Sequence, residues 1–113
     1  MKDDKFYLIQ IAEDIDRLEK FTAGGKSAFM NEEVVQRAVL RTLQTLGESV
    51  KRLSDNLKSK YPEVAWKGIV ALRNVLVHDY LEIDLDEVWN IVALDVPVLK
   101  VQVQKMLADL GGV

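Results

Sequence analysis

The sequence predicts an all-α fold, an antiparallel bundle of four to five helices forming one domain over residues 1–113. Three observations predict it. Apolar residues recur at spacings of three and four almost throughout the chain, which is the period of a helix with one buried face. Apolar types make up 49% of the residues, enough to give each such face a core to enter. The one strand-like stretch, Val96 to Val103, has no second strand to pair with, and its helical phase runs unbroken across Pro97.

In the first helix Leu8, Ile11, Ile15 and Leu18 form the apolar stripe, with Phe21 closing it. Asp14, Asp16, Arg17, Glu19 and Lys20 fill the rest of the circumference. Gly24-Gly25 ends this element by supplying positive φ. The second helix is the longest expectation. Asn31 is its candidate N-cap, Glu32 and Glu33 complement the helix dipole, and Val35, Val39, Leu43, Leu46, Val50, Leu53 and Leu57 carry the stripe to about Lys60. Gly47 in mid-helix costs about 1 kcal/mol relative to alanine, so it marks a close approach of a neighbouring backbone or a ligand. A third helix, roughly Ala65 to His78, buries Trp66, Ile69, Val70 and Leu76. After a loop from Leu81 to Leu85, Asp84 or Asp86 caps the last segment, whose stripe is Leu85, Trp89, Val92, Val96, Leu99, Val103, Met106 and Leu110. Pro97 kinks or splits it, with the break just before the proline.

Composition removes several functional classes. With no cysteine there is no disulfide framework, zinc ribbon or cysteine nucleophile, and with one histidine no two-histidine metal site can form within one protomer. The start of the chain is too acidic for a signal peptide, and no stretch reaches the about 18 apolar residues of a membrane span. A cytoplasmic protein needing no cofactor is the expectation. Eighteen acids against fifteen lysines and arginines give a net charge of −3, which disfavours general coating of nucleic acid but leaves room for a local basic patch. Arg37, Arg41, Lys51, Arg52, Lys58 and Lys60 on the second helix read either as a solvated face or as such a footprint. Gly-rich phosphate loops, nucleophile elbows and zinc-protease or calcium-loop spacings are missing.

One cluster carries chemistry: Arg73-Asn74-Val75-Leu76-Val77-His78-Asp79-Tyr80. It holds the only histidine, whose unperturbed pKa of ~6.5 suits proton transfer near neutrality. Arg73 adds a permanent charge on a planar fork that fits phosphate oxygens. Together they are the minimum set for metal-free RNA cleavage, the base taking the 2′-hydroxyl proton and the guanidinium stabilising charge at phosphorus. On residues alone, a helix-capping histidine and a core-anchoring tyrosine remain the competing account. Geometry adds a condition: five residues along an ideal helix rotate the side chain by about 140°, so Arg73 and His78 do not share a face. Either the helix unwinds near His78, or two subunits assemble the site.

Arg73-x4-His78-x-Tyr80, with Asn74 directly after the arginine, resembles the signature of the HEPN-domain ribonucleases, and in particular of their HepT-like toxins. The resemblance covers nearly the whole chain. It includes Arg17-Leu-Glu-Lys-Phe-Thr-x-Gly24, Ala38-Val-Leu-Arg-x-Leu43, Leu46-Gly-Glu48, Tyr61-Pro-Glu63, Trp66, Asp84-Leu-x-x-Val-Trp89 and Asp95-x-Pro97. Ala65 stands where the family often has proline, and Ser49 where alanine is common. The resemblance implies a metal-independent RNase toxin of a type VII toxin–antitoxin system, acting on RNA as a homodimer. It implies Arg73 and His78 as catalytic residues, with Asn74 supporting them. It also implies a cognate nucleotidyltransferase antitoxin, MntA, that transfers AMP onto Tyr80. AMP there would add bulk and negative charge to a cleft shaped for an RNA phosphate.

Two other classes stand beside it. One is a non-catalytic helical partner or scaffold of a minimal nucleotidyltransferase, towards which the pI of about 5.1 leans. The other is a purely structural dimerisation bundle. For the homodimer, Leu40 and Gly47, one heptad apart and off the main stripe, are the candidate interface. Gly47 and Glu48 are also candidates to approach the cleft, with Glu48 equally suited to pair with Lys51 or Arg52 on its own helix.

Overall fold

A computed structural model describes residues 2–78 and 83–111, with Val77 and His78 described by their backbone. Helices α1 (Asp4–Phe21), α2 (Gly25–Asn31), α3 (Glu33–Lys51), α4 (Asp55–Lys60), α5 (Trp66–His78), α6 (Leu85–Asn90) and α7 (Val96–Asp109) follow in order. A π-helical turn, Ile91–Asp95, joins the last two. Among the described residues there is no strand, and the all-helical bundle expected from the periodicity is what forms. The long helices make the frame: α1 packs between α3 and α7, and α5 packs on the other side of α3.

Asp3 caps α1 by accepting from the Phe6 amide at 3.0 Å. Leu8, Ile11, Ile15 and Leu18 are then fully buried, as their spacing requires. Two positions on this helix differ from the sequence expectation. Phe21 does not close the stripe but stays exposed, because the chain turns away at Thr22, whose hydroxyl donates to the Leu18 carbonyl at 2.7 Å. Asp14 is not on the solvated circumference but buried. Its carboxylate accepts from Arg17 Nη1 at 2.8 Å and from Thr45 Oγ1 at 2.9 Å, so the burial is compensated from two helices.

Gly25 has the expected positive φ, +86°, but α1 has already ended at Phe21 with Thr22 as its cap, so the glycine opens the next element rather than closing this one. An unforeseen short helix starts there, and its Phe29 is fully buried and packs on the Trp89 ring with centroids 5.6 Å apart. Asn31 is consequently not the cap of the next helix. It ends α2, its Nδ2 donating to the Ser27 carbonyl at 2.7 Å, and Glu32 stands at the α3 N-cap without a side-chain bond. Gln36 closes the junction, its amide donating to the carbonyls of Phe29 and Met30 at 3.0 and 3.1 Å.

The long second helix is also two. α3 stops at Lys51, and Ser54 starts α4 by accepting from the Leu57 amide at 3.1 Å. Asp4 of α1 sets the break: it accepts from the Ser54 amide at 2.8 Å and from the Ser54 hydroxyl at 2.6 Å. Leu53 and Leu57 nevertheless stay in the core, so the apolar phase survives the interruption. Tyr61 follows, its hydroxyl donating to Asp109 at the end of α7, and its carbonyl accepting from the Trp66 indole at 3.0 Å.

Asp84 caps α6 as expected, accepting from the amides of Asp86 and Glu87. The irregularity expected near Pro97 is the π turn just ahead of it. Proline donates no amide and its ring crowds the preceding turn, and widening one turn accommodates both while the helix carries on. Lys100 ties α7 to α1 through Glu19 at 2.9 Å.

Candidate functional site

Arg73 sits on the face of α5 that meets α3, directly over Gly47. A Cβ built on Gly47 would overlap Arg73 Cβ and stand 3.0 Å from Arg73 Cγ and 3.5 Å from the Ile69 carbonyl oxygen. Only glycine lets the two helices approach this closely. The close approach expected at Gly47 is therefore a helix–helix contact, and it decides where Arg73 lies.

The guanidinium is then fixed by its neighbours. Arg73 Nη2 lies 3.0 Å from Glu48 Oε2, and Arg73 Nη1 donates to Asn74 Oδ1 at 3.0 Å. Glu48 uses its second oxygen on Arg52, 3.3 Å away, which is the pairing expected of it on its own helix. Two arginines share one carboxylate, and the cluster keeps a net positive charge. Arg73 is 22% exposed at its side chain, against 58% for Arg52, so it is the more enclosed of the two arginines. Arg73 Nε is buried with no hydrogen-bond partner among the described residues, and the contact with Glu48 Oε2 is an ion pair rather than an aligned hydrogen bond. Among the described residues the Nε donor of this guanidinium is left unused, and it is buried rather than turned to solvent.

The structure brings Arg73, Asn74 and Glu48 together. α5 remains α-helical through His78, so the unwinding that would turn His78 onto the arginine's face does not occur among the described residues. The His78 side chain and all of Tyr80 lie outside the described residues.

The proposed dimer contact through Leu40 and Gly47 is corrected. Leu40 is 7% exposed, inside the core, and Gly47 is buried beneath Arg73, so neither offers a surface. The basic residues of the second helix likewise do not form one footprint. Arg37 pairs with Glu33 and Arg52 with Glu48, whereas Lys51 and Lys58 line an open groove between α4 and α5 together with Lys67. Sequence reasoning missed Lys67, which sits on a different helix and falls in no run of charge. Among the described residues no group of three or more histidines or carboxylates could hold a metal ion, and no helix is long and apolar enough to cross a membrane.

Comparison with known proteins agrees with the signature. A family model described as Ribonuclease HepT-like matches residues 11–106. "Putative RNase MJ0127" of Methanocaldococcus jannaschii is 34% identical over 98% of this chain and 93% of its own length. "Putative RNase MJ1380" of the same organism is 36% identical, over 91% and 95%. "Probable ribonuclease HepT" of Thermococcus cleftensis is 34% identical, over 90% and 94%. No solved structure matches the chain significantly. With the family model and full-length relatives in agreement, this chain belongs to the HepT-like ribonuclease family.

Proposed function

We infer that this protein is a metal-independent RNA endonuclease and the toxin of a type VII toxin–antitoxin pair, with Arg73 and His78 as its catalytic residues and Asn74 in support. The observation that carries this reading is the seating of Arg73, pinned over Gly47 between Glu48 and Asn74. A phosphate in transit would find the fork already oriented. His78 takes the proton of the 2′-hydroxyl, the 2′-oxygen bonds to phosphorus, and the bond from phosphorus to the 5′-oxygen breaks, the leaving oxygen taking a proton from water. The products are a 2′,3′-cyclic phosphate and a free 5′-hydroxyl. One histidine and no cysteine give the chain a donor set better suited to acid–base work than to holding a metal. Cleavage of RNA by the wild type in excess EDTA is expected to proceed at the rate seen without chelator. Its complete loss would remove the metal-independent mechanism.

The helical continuity of α5 through His78 favours a site shared by two copies of the chain. The apolar face for that homodimer is the one around Leu94, Val98 and Val101, which are 66%, 57% and 65% exposed and spaced by four and three. Val98 also borders an apolar cleft of about 420 Å³ that Ile69 and Leu72 of α5 line from the other side. A second copy covering this cleft places α5, and Arg73 with it, beside the twofold axis. Val98→Asp is expected to shift the protein from dimer to monomer in sedimentation and to lower cleavage more than tenfold, the loss that burying an unpaired carboxylate brings. A Val98→Asp protein that stays dimeric would place the interface elsewhere.

Tyr80 is the acceptor through which a MntA-like nucleotidyltransferase antitoxin silences the toxin, its phenolate oxygen bonding to the α-phosphorus of ATP as pyrophosphate leaves. Tyr80→Phe keeps the ring, so much of the RNase activity should remain. Intact-mass spectrometry after incubation with ATP, magnesium and the antitoxin should show one adenylyl group on wild type and none on Tyr80→Phe.

A further inference from the structure

We propose that the groove between α4 and α5 is the track along which single-stranded RNA runs into the Arg73 site, held by Lys51, Lys58 and Lys67. This rests on the ribonuclease reading above and adds to it where the substrate lies. The groove is open and about 910 Å³ in volume. Three different elements contribute its cations: Lys51 closes α3, Lys58 lies in the last turn of α4, and Lys67 opens α5. None of the three makes an ion pair among the described residues, and Asp55 is the only acid on the walls. In a chain with a net charge of −3, that concentration of free ammonium groups is a local exception, and it matches a polyanion.

Two further features suit a single strand rather than a duplex. The Trp66 ring lines the groove and is held by its indole bond to the Tyr61 carbonyl, an aromatic surface of the kind on which an unpaired base stacks. The groove's far end is Asn74, the residue hydrogen-bonded to Arg73, so a backbone lying across the lysines arrives at the guanidinium. His78 follows Asn74 by one helical turn, which puts its backbone position on this same side of α5. The apolar cleft assigned above to the second copy adjoins the groove, sharing Val64, Ala65 and Gly68 with it, while its Ile69 and Leu72 lie on a different side of α5 from Asn74.

The test reads binding apart from chemistry. The probe is a fluorescein-labelled 2′-O-methyl dodecauridylate, which lacks the attacking hydroxyl and is not cleaved by it, and its anisotropy is titrated from 0.1 to 1 M KCl, about one decade of salt. Each phosphate contact to a single strand contributes about 0.7 to the slope of log Kd against log salt, so Lys58→Gln/Lys67→Gln is expected to lower the slope by about 1.4. Over that decade the same change amounts to about 25-fold weaker binding at 0.1 M. Lys58→Arg/Lys67→Arg should keep the wild-type slope. Lys20→Gln/Lys105→Gln, which removes equal charge from exposed positions outside the groove, should keep it as well. A wild-type slope in Lys58→Gln/Lys67→Gln overturns the proposal. So does an altered sedimentation coefficient with the slope unchanged, which would make the groove a contact between copies. The catalytic assignment fails separately, on cleavage that ignores loss of His78, and that result does not touch the binding slope.

Discussion

Alanine at His78 is expected to lower RNA cleavage by about 10²- to 10⁴-fold, the usual worth of a positioned acid–base group, with thermal stability little changed. Arg73→Ala is expected to lose a comparable factor by a different route. The guanidinium's contribution is electrostatic stabilisation at phosphorus, about 10²- to 10³-fold for one donor group removed. Arg73→Ala also leaves the Glu48 carboxylate with Arg52 as its remaining partner, so a modest loss of stability accompanies the loss of rate. Arg73→Lys separates the two effects. Lysine restores the charge beside Glu48, and so the fold, but its single ammonium cannot serve Glu48, Asn74 and a phosphate together as a planar fork can. Rates for the three variants, measured beside their melting temperatures, check this. Undiminished cleavage by His78→Ala would remove it from the chemistry.

Gly47→Val is expected to be the most destabilising single substitution near the site. Its Cβ would occupy the space of Arg73 Cβ, which is fixed to the α5 backbone and cannot turn aside as the far end of a flexible side chain could. Overpacking of this kind costs about 1–3 kcal/mol, and a β-branched side chain stands at the upper end. Leaving glycine in a helix returns up to about 1 kcal/mol, most fully for alanine. Gly47→Ala should accordingly lose less than Gly47→Val. For a domain near this size each kcal/mol lowers Tm by about 4–8 °C. Cleavage should fall further than stability in both, because α5 must move off α3 and carries Arg73 with it. Differential scanning calorimetry together with single-turnover cleavage distinguishes the effects. A Gly47→Val protein that melts at or above the wild-type temperature would show that the helices separate without cost.

Several features needed no tertiary structure because their causes are local. Leu8, Ile11, Ile15 and Leu18 enter the core since a 3.6-residue period leaves them no other common face, and Leu99, Val103 and Met106 do so for the same reason. Asp84 caps its helix through amides two and three residues away. The disturbance before Pro97 follows from one missing donor. The signature around Arg73 was legible as chemistry, and Gly47 as a close approach, because each breaks an expectation that sequence alone supplies.

What lay beyond the sequence was decided by partners distant along the chain. Asp4 reaches Ser54 and divides a stripe that reads as one helix, and Gln36 takes up the carbonyls of α2 so that Asn31 ends one helix rather than starting another. Thr45 makes burial of Asp14 tolerable. The period of hydrophobicity reports which residues face inward but not where a polar side chain from another helix interrupts the backbone. The sequence by itself therefore determined the fold class, the inward faces and the chemical cluster. Only the packing of α3 on α5 decided that Gly47 lies under Arg73, that Glu48 and Asn74 grip its guanidinium, and that lysines from three helices gather beside it. The contacts of Gly47 and Glu48 with Arg73 join residues 26 and 25 positions apart, and no local propensity encodes them.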